Sequence, residues 1–185
     1  QDSGACAVLL SSLLPRTSML DVSDKCQVHQ FFLAQRLFGE EEEGRYEEPA
    51  VEVLRAECAE AFIETSSRYQ RPSSMQGRIR EIVLELGVGE VLCEHVLPGI
   101  GYSVDLFIPS LNLAVEVDGP GHFLASTQDA PGEAEALRPT GATRLKASLL
   151  RAWGVRLVSI AFDDYDKTML LGAPERLEWM RGAPA

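Results

Sequence analysis

Apolar residues recur at helical spacing in two long segments near the amino terminus. Between Asp24 and Phe38, the residues Val28, Phe31, Phe32 and Leu33 fall on one side, and Gly39 provides a stop. A second segment opens at Pro49, a residue suited to a first helical turn, and runs to about Tyr69. The two predict a helical hairpin. Residues 1–22 ahead of it show only weak periodicity and end in the turn-prone run Asp21 to Ser23. No repeat period is visible, so a longer helical array would lie upstream of Gln1.

Arg71-Pro72-Ser73-Ser74 marks a boundary, after which serine can cap a third helix from Met75 to Leu86, stopped by Gly87. Its apolar stripe is Met75, Ile79, Ile82, Val83 and Leu86. The period then changes from helical to alternating. Val91–Leu97, Tyr102–Ile108 and Leu113–Asp118 read as short strands, with Pro109 to Asn112 as a tight connection between the last two. Residues 124–140, rich in Gly, Pro, Ala and Asp, read as an exposed loop. A fourth helix spans about Ala142 to Trp153 and stops at Gly154. Val155–Phe162 is a fourth strand, and Pro174 opens a final helix to about Arg181. The expected fold is mixed α/β (an α+β mixed sheet), with a helical extension over residues 1–70 and a second domain over 71–185.

With 185 residues, 45% hydrophobic and 24% charged, the chain has the composition of a soluble globular protein. No stretch approaches the ~20 apolar residues of a spanning helix, so no membrane partner is expected. The net charge of −11 argues against nucleic-acid binding by bulk attraction. The charge is segregated, however. Residues 40–60 hold nine acids and two bases, whereas residues 138–162 hold five bases (Arg138, Arg144, Lys146, Arg151, Arg156) and no acid. Fourteen of the 17 bases are arginine, which suits bidentate phosphate contacts but equally fits a GC-rich genome. The acidic run Glu40–Glu43 reads as a solvated loop. Four scattered cysteines, with no CxxC pair, give neither a disulfide framework nor a zinc signature. Cys93 and His95 alternate on one strand and read as ordinary packing residues. The chain opens on Gln1, which leaves room for a start further upstream and makes a targeting peptide unreadable.

The two central strands carry the candidate chemistry. On Tyr102–Ile108, Ser103, Asp105 and Phe107 share one face; on Leu113–Asp118, Ala114, Glu116 and Asp118 do. An antiparallel hairpin pairing Ile108 with Leu113 sets Asp105 across from Glu116, with Asp118 two residues on. Carboxylates so arranged need a proton, a cation or a basic side chain, unless the face is simply wet. On the fourth helix, Lys146 falls inside the apolar sector of Ala142, Leu145, Leu149, Leu150 and Trp153, while Arg144 and Arg151 lie on the far side. A lysine there either meets the carboxylates or reaches past them to the edge. After Asp118, Gly119-Pro120-Gly121 forces a turn that can bring His122 back over the acids. Asp105, Glu116, Asp118 and His122 together could hold Mg or Mn and activate water.

These residues resemble a known family. Tyr102 to His122, Y-S-V-D-L-F-I-P-S-L-N-L-A-V-E-V-D-G-P-G-H, looks like the signature of the RAP domain, with E-V-D-G-P-G-H as its specific part. Thr140 to Ile160 is similar to that domain's second half, and the resemblance covers about residues 91–168. It implies an RNA-binding module of mitochondrial or chloroplast RNA metabolism, often at the end of helical repeats, and a restriction-endonuclease-like core of the PD-(D/E)XK type. Related proteins occur in mitochondrial ribosomes. By the nuclease pattern, Asp105 matches the first acid and Glu116 the second. The third position, lysine in that pattern, is Asp118 here, which departs from ordinary catalysis of this type. Lys146 could substitute from the helix, and Asp118 with His122 resembles the variant in very-short-patch-repair endonucleases. Glu81 and Glu85 lie off the apolar stripe and read as surface residues.

Three functions follow as expectations. The first is RNA binding through Arg138, Arg144, Arg151 and Arg156 without catalysis, in a mitochondrion or, second, a chloroplast; the same arginines also suit a merely solvated helix face. The second is an adaptor in a large ribonucleoprotein assembly such as an organellar ribosome. The third is a metal-dependent nuclease using Asp105, Glu116, Asp118, His122 and Lys146, with Asp105, Glu116 and Asp118 as metal ligands.

Overall fold

The structure, a computed structural model, describes residues 3–39, 48–68, 72–124 and 138–169, together with Glu175. The chain divides into two compact units, Gln1–Arg68 with Pro98–Tyr102, and Tyr69–Leu97 with Ser103–Ala185.

The first unit is helical. Helix α1 (Ser3–Leu13) and a 3₁₀ segment (Leu14–Met19) precede α2 (Val22–Phe38) and α3 (Pro49–Ser66). The weak periodicity of residues 1–22 gave no sign of α1, because its run SGACAVLLSSL has no polar stripe to contrast with an apolar one. Helix α2 begins ahead of its apolar stripe because Asp21 and Asp24 cap it reciprocally, each side chain accepting from the other's backbone N–H. Leu10, Val28, Phe32, Val51, Leu54 and Cys58 form the core. The segment Pro98–Tyr102 packs with these helices, not with the strands that flank it in sequence. Ile100 and Tyr102 are buried, Gln30 Nε2 donates to the Tyr102 hydroxyl at 2.9 Å, and the Tyr102 ring stands edge-on to Phe62.

The second unit holds the sheet. Helix α4 (Ser74–Glu85) is capped by Ser73, and strands β1 (Leu92–Val96), β2 (Ser103–Ile108) and β3 (Leu113–Asp118) follow. Helix α5 (Gly141–Ala152) then leads into β4 (Arg156–Ala161). The sheet order is β1-β2-β3-β4, with the first two pairs antiparallel and the last parallel. A parallel neighbour requires a crossover, and α5 provides it. The fold is therefore mixed α/β with a four-stranded mixed sheet. Ile79, Ile82 and Val83 of α4 pack against Leu106, Ile108, Val115, Val117 and Ile160, so α4 covers one face. Asn112, in a left-handed conformation, ties the β2–β3 turn to the α5–β4 turn by donating from Nδ2 to the Gly154 carbonyl at 2.8 Å. Gly154 sits at φ +90°, which fixes the glycine that stops α5.

A helix α6 (Phe162–Met169) follows β4 where the alternating pattern suggested only the end of a strand. Asp163 and Asp164 in its first turn suit a helix amino terminus. The acidic run Glu40–Glu43, Tyr69, Arg71, most of the 124–140 loop and, apart from Glu175, the helix expected from Pro174 lie outside the described residues. Among the described residues no helix is long and apolar enough to cross a membrane.

Candidate functional site

The β2–β3 register pairs Ile108 with Leu113 and Leu106 with Val115. One step further stand Asp105 and Glu116, and there the ladder ends. The Asp105 carboxylate takes over part of its role: Oδ2 accepts the backbone N–H of Val117 at 2.7 Å. The pairs Cys93–Leu106 and His95–Val104 likewise bracket Glu94 opposite Asp105, and β3 pairs Glu116 with Ser159 of β4. Glu94, Asp105, Glu116 and Ser159 thus form one row across the sheet. Asp118 lies two residues along from Glu116.

Val115 and Val117 belong to the core under α4, so Glu116 and Asp118 point to the opposite face. There Lys146 of α5 donates from Nζ to Glu116 Oε2 at 2.6 Å. The lysine is about a quarter exposed and the glutamate almost wholly buried, at 26% and 8% of side-chain surface. Glu116 Oε1 is buried with no hydrogen-bond partner among the described residues. Burial pushes the Glu116 carboxyl up to about 7, against the pull of Lys146 and with the help of Asp105.

The turn after Asp118 is a 3₁₀ segment, Pro120–His122, that brings His122 back. Its Nδ1 lies 3.0 Å from Asp118 Oδ1, the carboxylate buried and the ring half exposed. The backbone fixes this ring's base, because the His122 carbonyl accepts from Thr140 N–H at 2.9 Å and from Thr143 Oγ1 at 3.2 Å. Burial also raises the Asp118 carboxyl, offset by His122 and by a hydrogen bond from Ser159.

Glu94 was not picked out in the sequence. It lies at φ +46° inside a strand, a conformation that non-glycine residues rarely adopt and that concentrates at functional sites. Gln76 of α4 donates to its Oε1 at 3.3 Å. Its carboxyl is raised by burial and by Asp105 and lowered by Lys146. The signal that could have found it is the β1–β2 register. That register is hidden because residues 98–102 leave the sheet between the two strands. Next to it, His95 stacks on Phe107 and Cys93 is exposed and free. Glu81 and Glu85 are both exposed, with Glu81 paired to Arg78.

The basic residues divide into two groups. Lys146 belongs to the acid row. Arg144 and Arg151 are exposed on α5, Arg156 is exposed at the start of β4, and Arg138 is exposed beside Leu124, whose N–H donates to its carbonyl. Among the described residues none of these four arginines makes an ion pair.

The nuclease pattern implies a divalent cation on Asp105, Glu116 and Asp118. Among the described residues no three His, Cys, Asp or Glu side chains are gathered so as to hold a metal ion. The donor atoms give the reason. Lys146 holds Glu116 Oε2, the Val117 N–H holds Asp105 Oδ2, and His122 holds Asp118 Oδ1. Of these three carboxylates, only Glu116 has a buried oxygen, Oε1, with no hydrogen-bond partner among the described residues. This donor set does not fit a resident metal. No protein-family model matches the chain.

Proposed function

We propose that the chain is an RNA-associated protein of the RAP type, acting in organellar, chiefly mitochondrial, RNA metabolism or translation. Its α/β unit is a restriction-endonuclease-like core that binds RNA without cleaving it. The observation that carries this reading is the separation of the positive charges. Lys146 is spent on Glu116, while Arg144 and Arg151 stand on the outer side of the same helix with no ion pair among the described residues. Seven residues apart, they lie on one stripe separated by roughly 10 Å along the axis. Arg138, exposed two residues ahead of the α5 N-cap, and Arg156, exposed at the start of β4 but in register with the side facing α4, are further candidate phosphate contacts on a chain too acidic for indiscriminate attraction.

The test is a titration of fluorescently labelled single-stranded RNA by anisotropy over a salt series. Binding weakens with salt, with a logarithmic slope near −0.7 per phosphate contacted. The variant Arg144→Glu/Arg151→Glu loses most of the affinity and flattens the slope. Equal affinity in the variant defeats the reading.

The adaptor reading draws on a separate observation in the helical unit. Val8, Met19, Val22, Phe38 and Val53 are at least half exposed, apolar side chains that a protein partner could cover. Crosslinking in organelle extract separates the two. Contacts chiefly to ribosomal proteins favour the adaptor, and contacts to RNA through residues 138–156 favour direct binding. The nuclease reading requires manganese- or magnesium-dependent RNA cleavage that depends on Asp105.

A further inference from the structure

The acid row raises a question of charge that is independent of RNA binding. Glu94, Asp105 and Glu116 stand in one row across the sheet, and Asp118 lies two residues along from Glu116. Elsewhere in this arrangement of acids a divalent cation would be the natural counter-charge. Here α5 delivers an ammonium group instead. Lys146 lies on the sheet-facing side of α5, one turn from the fully buried Leu149 and Leu150, so packing fixes its depth. Its Nζ meets Glu116 Oε2 at 2.6 Å, among the carboxylates a metal would bridge. Any divalent ion bridging Glu116 to Asp105 or Asp118 would have to sit beside that ammonium and be repelled by it.

We propose that Lys146 is the resident cation of the site, occupying the place of a metal ion and closing the acid row to divalent cations. The remaining acids are retired in the same way. Asp105 is turned to the Val117 backbone and Asp118 to His122 and Ser159. The site is then a structural cluster in which, among the described residues, Glu116 Oε1 is the one buried carboxylate oxygen with no hydrogen-bond partner.

Manganese binding tests this directly. The electron paramagnetic resonance signal of free Mn2+ and the thermal unfolding midpoint are followed for the whole chain as Mn2+ is added. The wild type and Lys146→Arg, which keeps the charge, leave the free signal and the midpoint unchanged up to millimolar Mn2+. Lys146→Ala unfolds at lower temperature, takes up Mn2+ and regains thermal stability as it does so. Adding Glu116→Gln to that variant abolishes the gain. Lys146→Met serves in place of Lys146→Ala if the alanine variant is insoluble. Mn2+ uptake by the wild type that Glu116→Gln removes overturns the proposal. So does a lysine-free variant that gains no affinity, since Lys146 would then not be what excludes the metal.

Discussion

Lys146 Nζ and Glu116 Oε2, from a helix and a strand thirty residues apart in sequence, meet at 2.6 Å on the face of the sheet opposite α4. The pair joins the crossover helix to the central strand. Removing one partner of a buried pair leaves the other charge uncompensated, which typically costs about 3–5 kcal/mol. Lys146 retains a quarter of its exposure, so Lys146→Met is expected to cost less, about 2 kcal/mol. Urea unfolding followed by circular dichroism measures this. An unchanged midpoint would mean that the contact contributes nothing.

The same pair has a pH signature. Burial raises the folded Glu116 carboxyl to about 7 from an unfolded value of 4.5. Between those values the folded state holds the proton and the unfolded state does not. The contribution of this group is therefore fully present below 4.5 and is lost as pH rises through about 7. Glu94 and Asp118 are shifted in the same direction and add to it. Glu116→Gln keeps the neutral shape at every pH. Its urea midpoint relative to the wild type should rise as the pH is taken from about 5 to about 8. A difference independent of pH would contradict the raised carboxyl.

His29 behaves in the opposite sense, in the helical unit. Its ring is buried against Phe62, with Nε2 3.3 Å from the Ile100 carbonyl and Nδ1 unpartnered among the described residues. Burial lowers its pKa from the usual 6.5, partly opposed by that carbonyl. The contribution of neutral His29 is present above 6.5 and is lost as pH falls through the lower folded value. Amide hydrogen exchange in α2 and α3 should therefore accelerate on acidification in the wild type. In His29→Phe that acceleration should be much reduced.

Asp105 has a structural duty that complicates its use as a catalytic probe. Asp105→Ala leaves the Val117 N–H without its acceptor at the end of the ladder, a cost of about 1–3 kcal/mol. Asp105→Asn keeps an oxygen there and should cost less than half as much. Denaturant midpoints of the two variants check the order. Asp105→Asn is accordingly the cleaner substitution in any cleavage assay.

Much of this site was legible because strand alternation is a strict geometric rule. Once Ile108 pairs with Leu113, Asp105 must approach Glu116, and a helical wheel alone puts Lys146 on the sheet side of α5. What alternation could not supply was the departure from regular strands. Glu94 joins the row through a left-handed backbone, and Asp105 leaves the ladder to accept from Val117, both products of tertiary fit. The assignment of Pro98–Tyr102 to the helical unit was hidden for the same reason. Tyr102 continues a strand-like alternation, yet its ring finds Phe62 and its hydroxyl Gln30. Helix α1 went unseen because its serines do not gather into a polar stripe, and only Leu10 of its described side chains is buried.

The most direct measurement incubates the whole chain with labelled single-stranded RNA and Mn2+, then assays both retention on the protein and the length of the RNA. The prediction is intact RNA that stays bound, is released by added salt, and behaves identically with Asp105→Asn. RNA shortened by the wild type and left whole by Asp105→Asn would contradict it, and would return the acid row to catalysis.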